Sequence, residues 1–155
     1  MSVIVELEVA AHEFELGRIL QVTAGMRVEM ETTVPAADWA VPLFWVYEAD
    51  ADAFESSFRG HESVNSITAV DIFEDRALYA MDWAVGSDRF FQAVVGNEGS
   101  ILNATGFTRE WDFELRFASH DDLGSFRADL EDARVTFEVL RVYNPTRPDA
   151  GPWYG

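Results

Sequence analysis

The chain has 155 residues, of which 28 are acidic and 11 are arginine, with no lysine and no cysteine, for a formal net charge of -17. That charge argues against direct nucleic-acid binding, since affinity for phosphate comes from Lys and Arg, and the missing thiols exclude disulfides and thiolate metal sites. Apolar residues make up 48% of the chain, enough for one domain with a well-supplied core rather than a disordered segment.

Val3, Val5, Leu7 and Val9 alternate with Ile4, Glu6 and Glu8, the period of a strand with one buried face. His12 to Leu20 reads as a short amphipathic turn or helix. A second strand spans Met26 to Val34, and Pro35 to Trp39 is a connection. The run PLFWVY that opens at Pro42 suits a strand covered on both faces.

From there the chain presents three strand–helix–strand units. The first is strand Leu43–Tyr47, a helix over 52–59 and strand Ser66–Phe73. The second is strand Leu78–Val85, a helix over 88–95 capped by Ser87 and stopped at Gly96-Asn97, and strand Ser100–Thr105. The third opens on REWDFELRF, where Trp111, Phe113, Leu115 and Phe117 share one face. Ser119 then caps a helix carrying Leu123, Phe126 and Leu130, and strand Val135–Tyr143 closes the unit. The units are either true repeats or plain alternation of strand and helix.

Tight turns at Glu74-Asp75-Arg76 and Gly106 to Arg109 join the units as antiparallel hairpins. Alternating hairpins with crossovers predicts an α+β fold. Its expected form is a largely antiparallel sheet with short helices on one face, built from ferredoxin-like split βαβ units. One domain is expected over 1–143. Residues 144–155, rich in Pro and Gly, read as a linker to a further domain.

No catalytic constellation is legible. His12, His61 and His120 lack the spacing of a metal or acid–base pair, and His120 sits beside Asp121 and Asp122 in a helix's first turn. There is no nucleophile elbow and no Gly-rich phosphate loop. No catalytic or metal-ligating residue and no cofactor is therefore assigned. Trp45, Trp83 and Trp111 each sit on the leading strand of a unit. They are either core or the lining of a small-molecule pocket, for which Asp82, Asn103 and Arg116 could supply polar groups.

The segments MSVIVELEVAAHEFELGRIL, PLFWVY, ALYAMDWAV, REWDFELRF and VYNP resemble, in order, the haloarchaeal bacterio-opsin activator family. The part matched is the domain preceding the C-terminal helix-turn-helix. The resemblance implies a non-enzymatic sensory or assembly domain of a transcriptional regulator, with DNA contacted only through a helix-turn-helix beyond Gly155. It transfers no functional residue. The alternative from the residues alone is a small α+β-barrel-type enzyme.

The lysine-free composition independently suggests a halophile cytoplasm, where the Debye length falls to about 3 Å and self-repulsion is screened. The N-terminus lacks the basic start of a signal peptide. No apolar run approaches the ~20 residues of a membrane span. A cytoplasmic protein is expected, with a small-molecule ligand or a homodimer as possible partnerships. The apolar face of the REWDFELRF strand is expected either to draw a second copy, packed sheet against sheet or continuing a sheet edge, or to line a ligand cavity closed by a curved sheet.

Overall fold

The computed structural model describes residues 1–20, 26–31, 43–47, 55, 62, 64–83, 86 and 88–145. Strand β1 (Val3–Ala10) buries Val3, Val5, Leu7 and Val9 on one side, as period two requires. A single 3-10 turn at Ala11–Glu13 leads into α1 (Glu15–Ile19), which buries Leu16 and Ile19. Strands β2 (Arg27–Met30) and β3 (Leu43–Tyr47) follow, then β4 (Val64–Ile72) and β5 (Arg76–Trp83). Helix α2 (Arg89–Gly96), β6 (Ser100–Gly106), β7 (Glu110–Phe117), α3 (His120–Asp132) and β8 (Phe137–Tyr143) complete the order.

The eight strands form one sheet in the order β4-β5-β3-β2-β6-β7-β1-β8. Every neighbouring pair is antiparallel. The two hairpin turns fall where expected, closed by Phe73 N–H to Arg76 O at 2.8 Å and Phe107 N–H to Glu110 O at 2.9 Å. Strands β7 and β8 both lie against β1, so they run parallel to each other although α3 and a turn join them.

One face of the sheet carries the core. Trp111, Phe113, Leu115 and Phe117 pack there with Val3, Val5, Leu7, Val9, Val28, Phe44 and Tyr79. Phe14, Leu16, Phe90, Val94, Phe126 and Leu130 cover them from the helical side. Phe90 and Phe113 rings approach to 4.4 Å, and Phe117 and Phe126 to 4.9 Å. The apolar face of REWDFELRF is thus closed by the chain's own helices, because its strand lies at the interior of the sheet beneath α2 and α3. It does not need a second copy to keep it dry.

The boundaries differ from expectation in places. The N-cap of α2 is Asp88 rather than Ser87, its side chain accepting from Phe90 N–H and Phe91 N–H. The fourth and fifth strands begin two residues before Ser66 and Leu78, as the register of their hairpin demands. The helix expected over 52–59, the connection Pro35 to Trp39 and all but Asn144 and Pro145 of the expected linker lie outside the described residues.

Gly106 is required by a close approach. It faces Trp111 across the β6–β7 ladder, and a Cβ there would sit 2.3 Å from the indole Cε2. Gly106→Ala should therefore force the ring off its rotamer and cost about 1–3 kcal/mol. Chemical denaturation of the two proteins reads this directly, and equal midpoints would show that the sheet absorbs the methyl group.

Candidate functional site

Side chains on the opposite face of the sheet point away from the core, and three strands concentrate carboxylates there. The β1–β7 register sets Glu8 opposite Asp112, Glu6 opposite Glu114 and Ala10 opposite Glu110. The β1–β8 register adds Glu138 opposite Glu8. Like charges directly opposite one another destabilise a sheet. Glu8 titrates above the ordinary carboxylate range, first through partial desolvation and then through the charges of Asp112, Glu110 and Glu138. Asp112 is raised by desolvation and by Glu110. The cations close to this ribbon are Arg141, whose Nη1 is 3.4 Å from Glu6 Oε2, and the exposed Arg116. Tyr143 donates its hydroxyl to Glu114 Oε2 at 3.1 Å.

The same face changes character on β3 and β5. Trp45 stacks on Phe73 with ring centroids 6.3 Å apart, and the Arg76 guanidinium lies 5.1 Å from the indole centre. Trp45 Nε1 donates to Glu31 Oε2 at 3.4 Å. Arg27 covers Tyr47 at 4.3 Å. These are cation–π pairs at a half-exposed surface, each a modest contact.

The three tryptophans therefore do not share a pocket. Trp83 and Trp111 are buried on the core face, against Phe91 and against Phe14 with Phe113, while Trp45 sits through the sheet on the other side. Asp82, Asn103 and Arg116 are exposed on the open face, on three different strands. Asp82 accepts from Asn65 Nδ2 at 3.5 Å. The geometry does not bring them together with the buried rings. His12 and His120 are exposed, and His61 lies outside the described residues.

Two features were not anticipated. Asp88 is fully buried, the one polar or charged residue so placed among the described residues. Its Oδ1 accepts from Phe90 N–H at 3.0 Å and Phe91 N–H at 3.2 Å, capping α2. Its Oδ2 accepts from Leu16 N–H at 2.8 Å, tying in the first turn of α1. Burial raises its pKa to about 6, with Glu15 adding to the rise and the three backbone donors opposing it. A capping residue before the apolar run RFFQAVV was legible, but a bond spanning 72 residues of chain was not. The second feature is an open groove between α2 and α3, about 280 Å³, lined by Arg89, Gln92, Ala93, Asp129 and Ala133. Asn97 spans the two helices beside it, donating to Ala93 O at 2.8 Å and Asp129 Oδ2 at 2.9 Å.

Among the described residues no group of His, Asp and Glu has the geometry to hold a metal ion, and no helix is long and apolar enough to cross a membrane. The arrangement offers surfaces and edges rather than a convergent chemical centre.

The family described as BAT, the GAF and HTH_10 associated domain, matches residues 3–152, which takes in every strand and helix described above. No curated protein matches the chain in sequence. The resemblance to the regulator domain of bacterio-opsin activators is borne out by that match, and the chain belongs to the BAT family of GAF- and helix-turn-helix-associated domains.

Proposed function

We propose that this chain is a non-enzymatic regulatory domain of a transcriptional regulator, acting by assembly and biasing a helix-turn-helix that follows in the same polypeptide. The observation that carries the reading is the disposition of charge. Among the described residues, ionisable side chains spread over an open sheet face, and the one buried carboxylate is consumed by three backbone N–H groups. A catalyst needs such groups to converge on a reacting atom. Membership of a family associated with GAF and HTH_10 domains supports the regulatory role.

The sheet further supports a ferredoxin-like reading. Strands β8-β1-β7-β6 and β2-β3-β5-β4 each place a strand between two that a longer connection joins, namely β1 between β7 and β8, and β5 between β3 and β4. Two split βαβ units side by side have this pattern. A protein of halophile cytoplasm completes the reading, on the strength of the lysine-free acidic composition.

This domain by itself should not recognise DNA. Its open face presents Glu6, Glu8, Glu110, Asp112, Glu114 and Glu138 on adjacent strands, and phosphate would be repelled. Titration against promoter fragments from its own genome should show no sequence-specific complex in the 10⁻⁸–10⁻¹¹ M range typical of specific sites. A specific shift with these 155 residues alone would sink the assignment.

A further inference from the structure

The outer strands of the described sheet are β4 and β8, and among the described residues no strand lies beyond either of them. Such an edge is a template for another strand. On β8 the edge is also apolar in part, with Leu140 51% and Val142 40% exposed. The strand is bulged: Val139 pairs with Leu7 and Arg141 with Glu6, leaving Leu140 as the extra residue. The bulge has a consequence for charge. It puts Glu138 and Arg141 on the same open face, opposite Glu8 and Glu6 respectively.

Within one chain Glu138 faces only its like. It lies across from Glu8 and makes no ion pair among the described residues. Arg141 is held on the same face by Glu6 and by the Tyr143 ring, 4.0 Å from its guanidinium carbon.

We propose that β8 is a homodimer edge, where two copies of this chain pair antiparallel about a two-fold axis at Val139–Leu140, each Glu138 lying opposite Arg141 of the second copy. The register follows from symmetry. An axis between these positions opposes Glu138 to Arg141 twice over, and Phe137 to Val142 twice over. Opposite charges directly across an antiparallel pair stabilise it, and the exposed Leu140 and Val142 are covered in the same step. Closed two-fold pairs are the commonest oligomers.

The alternatives for a second copy are poorer. Packing open face on open face would press two carboxylate ribbons together. The β4 edge carries a single charge, Asp71, between its exposed Val70 and Ile72. A two-fold pairing centred on that apolar stretch sets Asp71 against its own copy.

The inference rests on the regulatory reading in one respect, the use of the dimer. The chain leaves β8 at Asn144, so the two exits would stand about 25 Å apart at 3.3 Å per residue. That suits helix-turn-helix domains meeting half-sites about 34 Å apart.

The chain has no cysteine, so single reporters are unambiguous. Leu140→Cys and Ile72→Cys, both at exposed positions, are oxidised with copper phenanthroline in about 0.5 M KCl, where repulsion between whole chains is reduced but charges in contact still act. Leu140→Cys should yield a covalent dimer of about twice 17.5 kDa on a non-reducing gel, and Ile72→Cys should stay monomeric. Adding Glu138→Arg to the Leu140 reporter should cut the crosslink about tenfold, the size of a lost favourable pair turned repulsive. Adding Arg141→Glu as well should restore it. No dimer from Leu140→Cys, or equal crosslinking at Ile72, overturns the edge. An unchanged yield with Glu138→Arg overturns the charge pairing. The crosslink reads the interface alone, while reporter transcription driven by the longer polypeptide reads the regulatory role, so the two failures are separable.

Discussion

Asp88→Ala should lower the stability of this domain by about 2–4 kcal/mol at pH 7, the cost of a lost helix cap plus buried N–H groups left without an acceptor. The substitution does more than uncap α2. Leu16 N–H loses its partner as well, so α1 is released from α2 although the two lie far apart in sequence. Asp88→Asn should fall between wild type and Ala. Its amide oxygen can still cap Phe90 and Phe91, but its NH₂ would confront the Leu16 N–H, donor against donor.

The same residue carries a pH signature. In the folded protein Asp88 keeps its proton up to about pH 6, against an ordinary value of 3.8. Between those values the folded state holds more protons than the unfolded chain, so this group's contribution to stability falls as pH rises. This proton-linked part is fully present below the unfolded value and gone above the folded one, where the three backbone hydrogen bonds to the carboxylate remain. The difference of about two units corresponds to roughly 3 kcal/mol. The stability gap between wild type and Asp88→Ala should therefore narrow by on the order of that amount between pH 4 and pH 6 and stay flat above it. All other carboxylates are common to both proteins and cancel. Denaturant titrations at several pH values measure the gap, and a gap independent of pH would show that burial does not hold the proton.

Raising KCl from about 0.1 M to about 2 M should raise the melting temperature by roughly 10 °C or more, a gain of about 3–5 kcal/mol for a chain of this size. The net charge of -17 supplies the general repulsion, and the fold concentrates it. Glu8 faces Asp112 on one side and Glu138 on the other, and Glu6 faces Glu114. These oppositions exist only in the folded sheet, so screening them favours the folded state over the unfolded chain. Thermal melts across the salt series decide the matter, and a melting temperature that is flat or falls with KCl would rule out the halophile reading.

How far the sequence carried depended on the range of the interaction. Alternation in β1 and in REWDFELRF is a local pattern, and both strands form over the residues that carry it. Ser119 caps α3 through Asp122 N–H, as a Ser before an apolar helical stripe should. The hairpin turns are equally local.

The stop of α2 was legible in place, since the helix ends at Gly96 with Asn97 as its C-cap, while the left-handed residue is Glu98, at φ 57°. Gly99 N–H then returns to Val94 O at 2.8 Å, a bond that sets the stop where the chain can close it.

The sequence by itself determined the composition, the strand periods, the cap at Ser119 and which residues of β1 and β7 share a face. Only the tertiary structure decided which face is covered, because α1, α2 and α3 come from separate parts of the chain and converge on one side of the sheet. It also decided the carboxylate ribbon, since Glu8 and Asp112 meet through strand register and are remote in sequence. The bulge at Leu140, which turns Glu138 and Arg141 to one face, and the Asp88–Leu16 bond have the same origin. Periodicity is dictated by neighbouring residues, whereas register and helix placement follow from the packing of segments that the sequence does not set side by side.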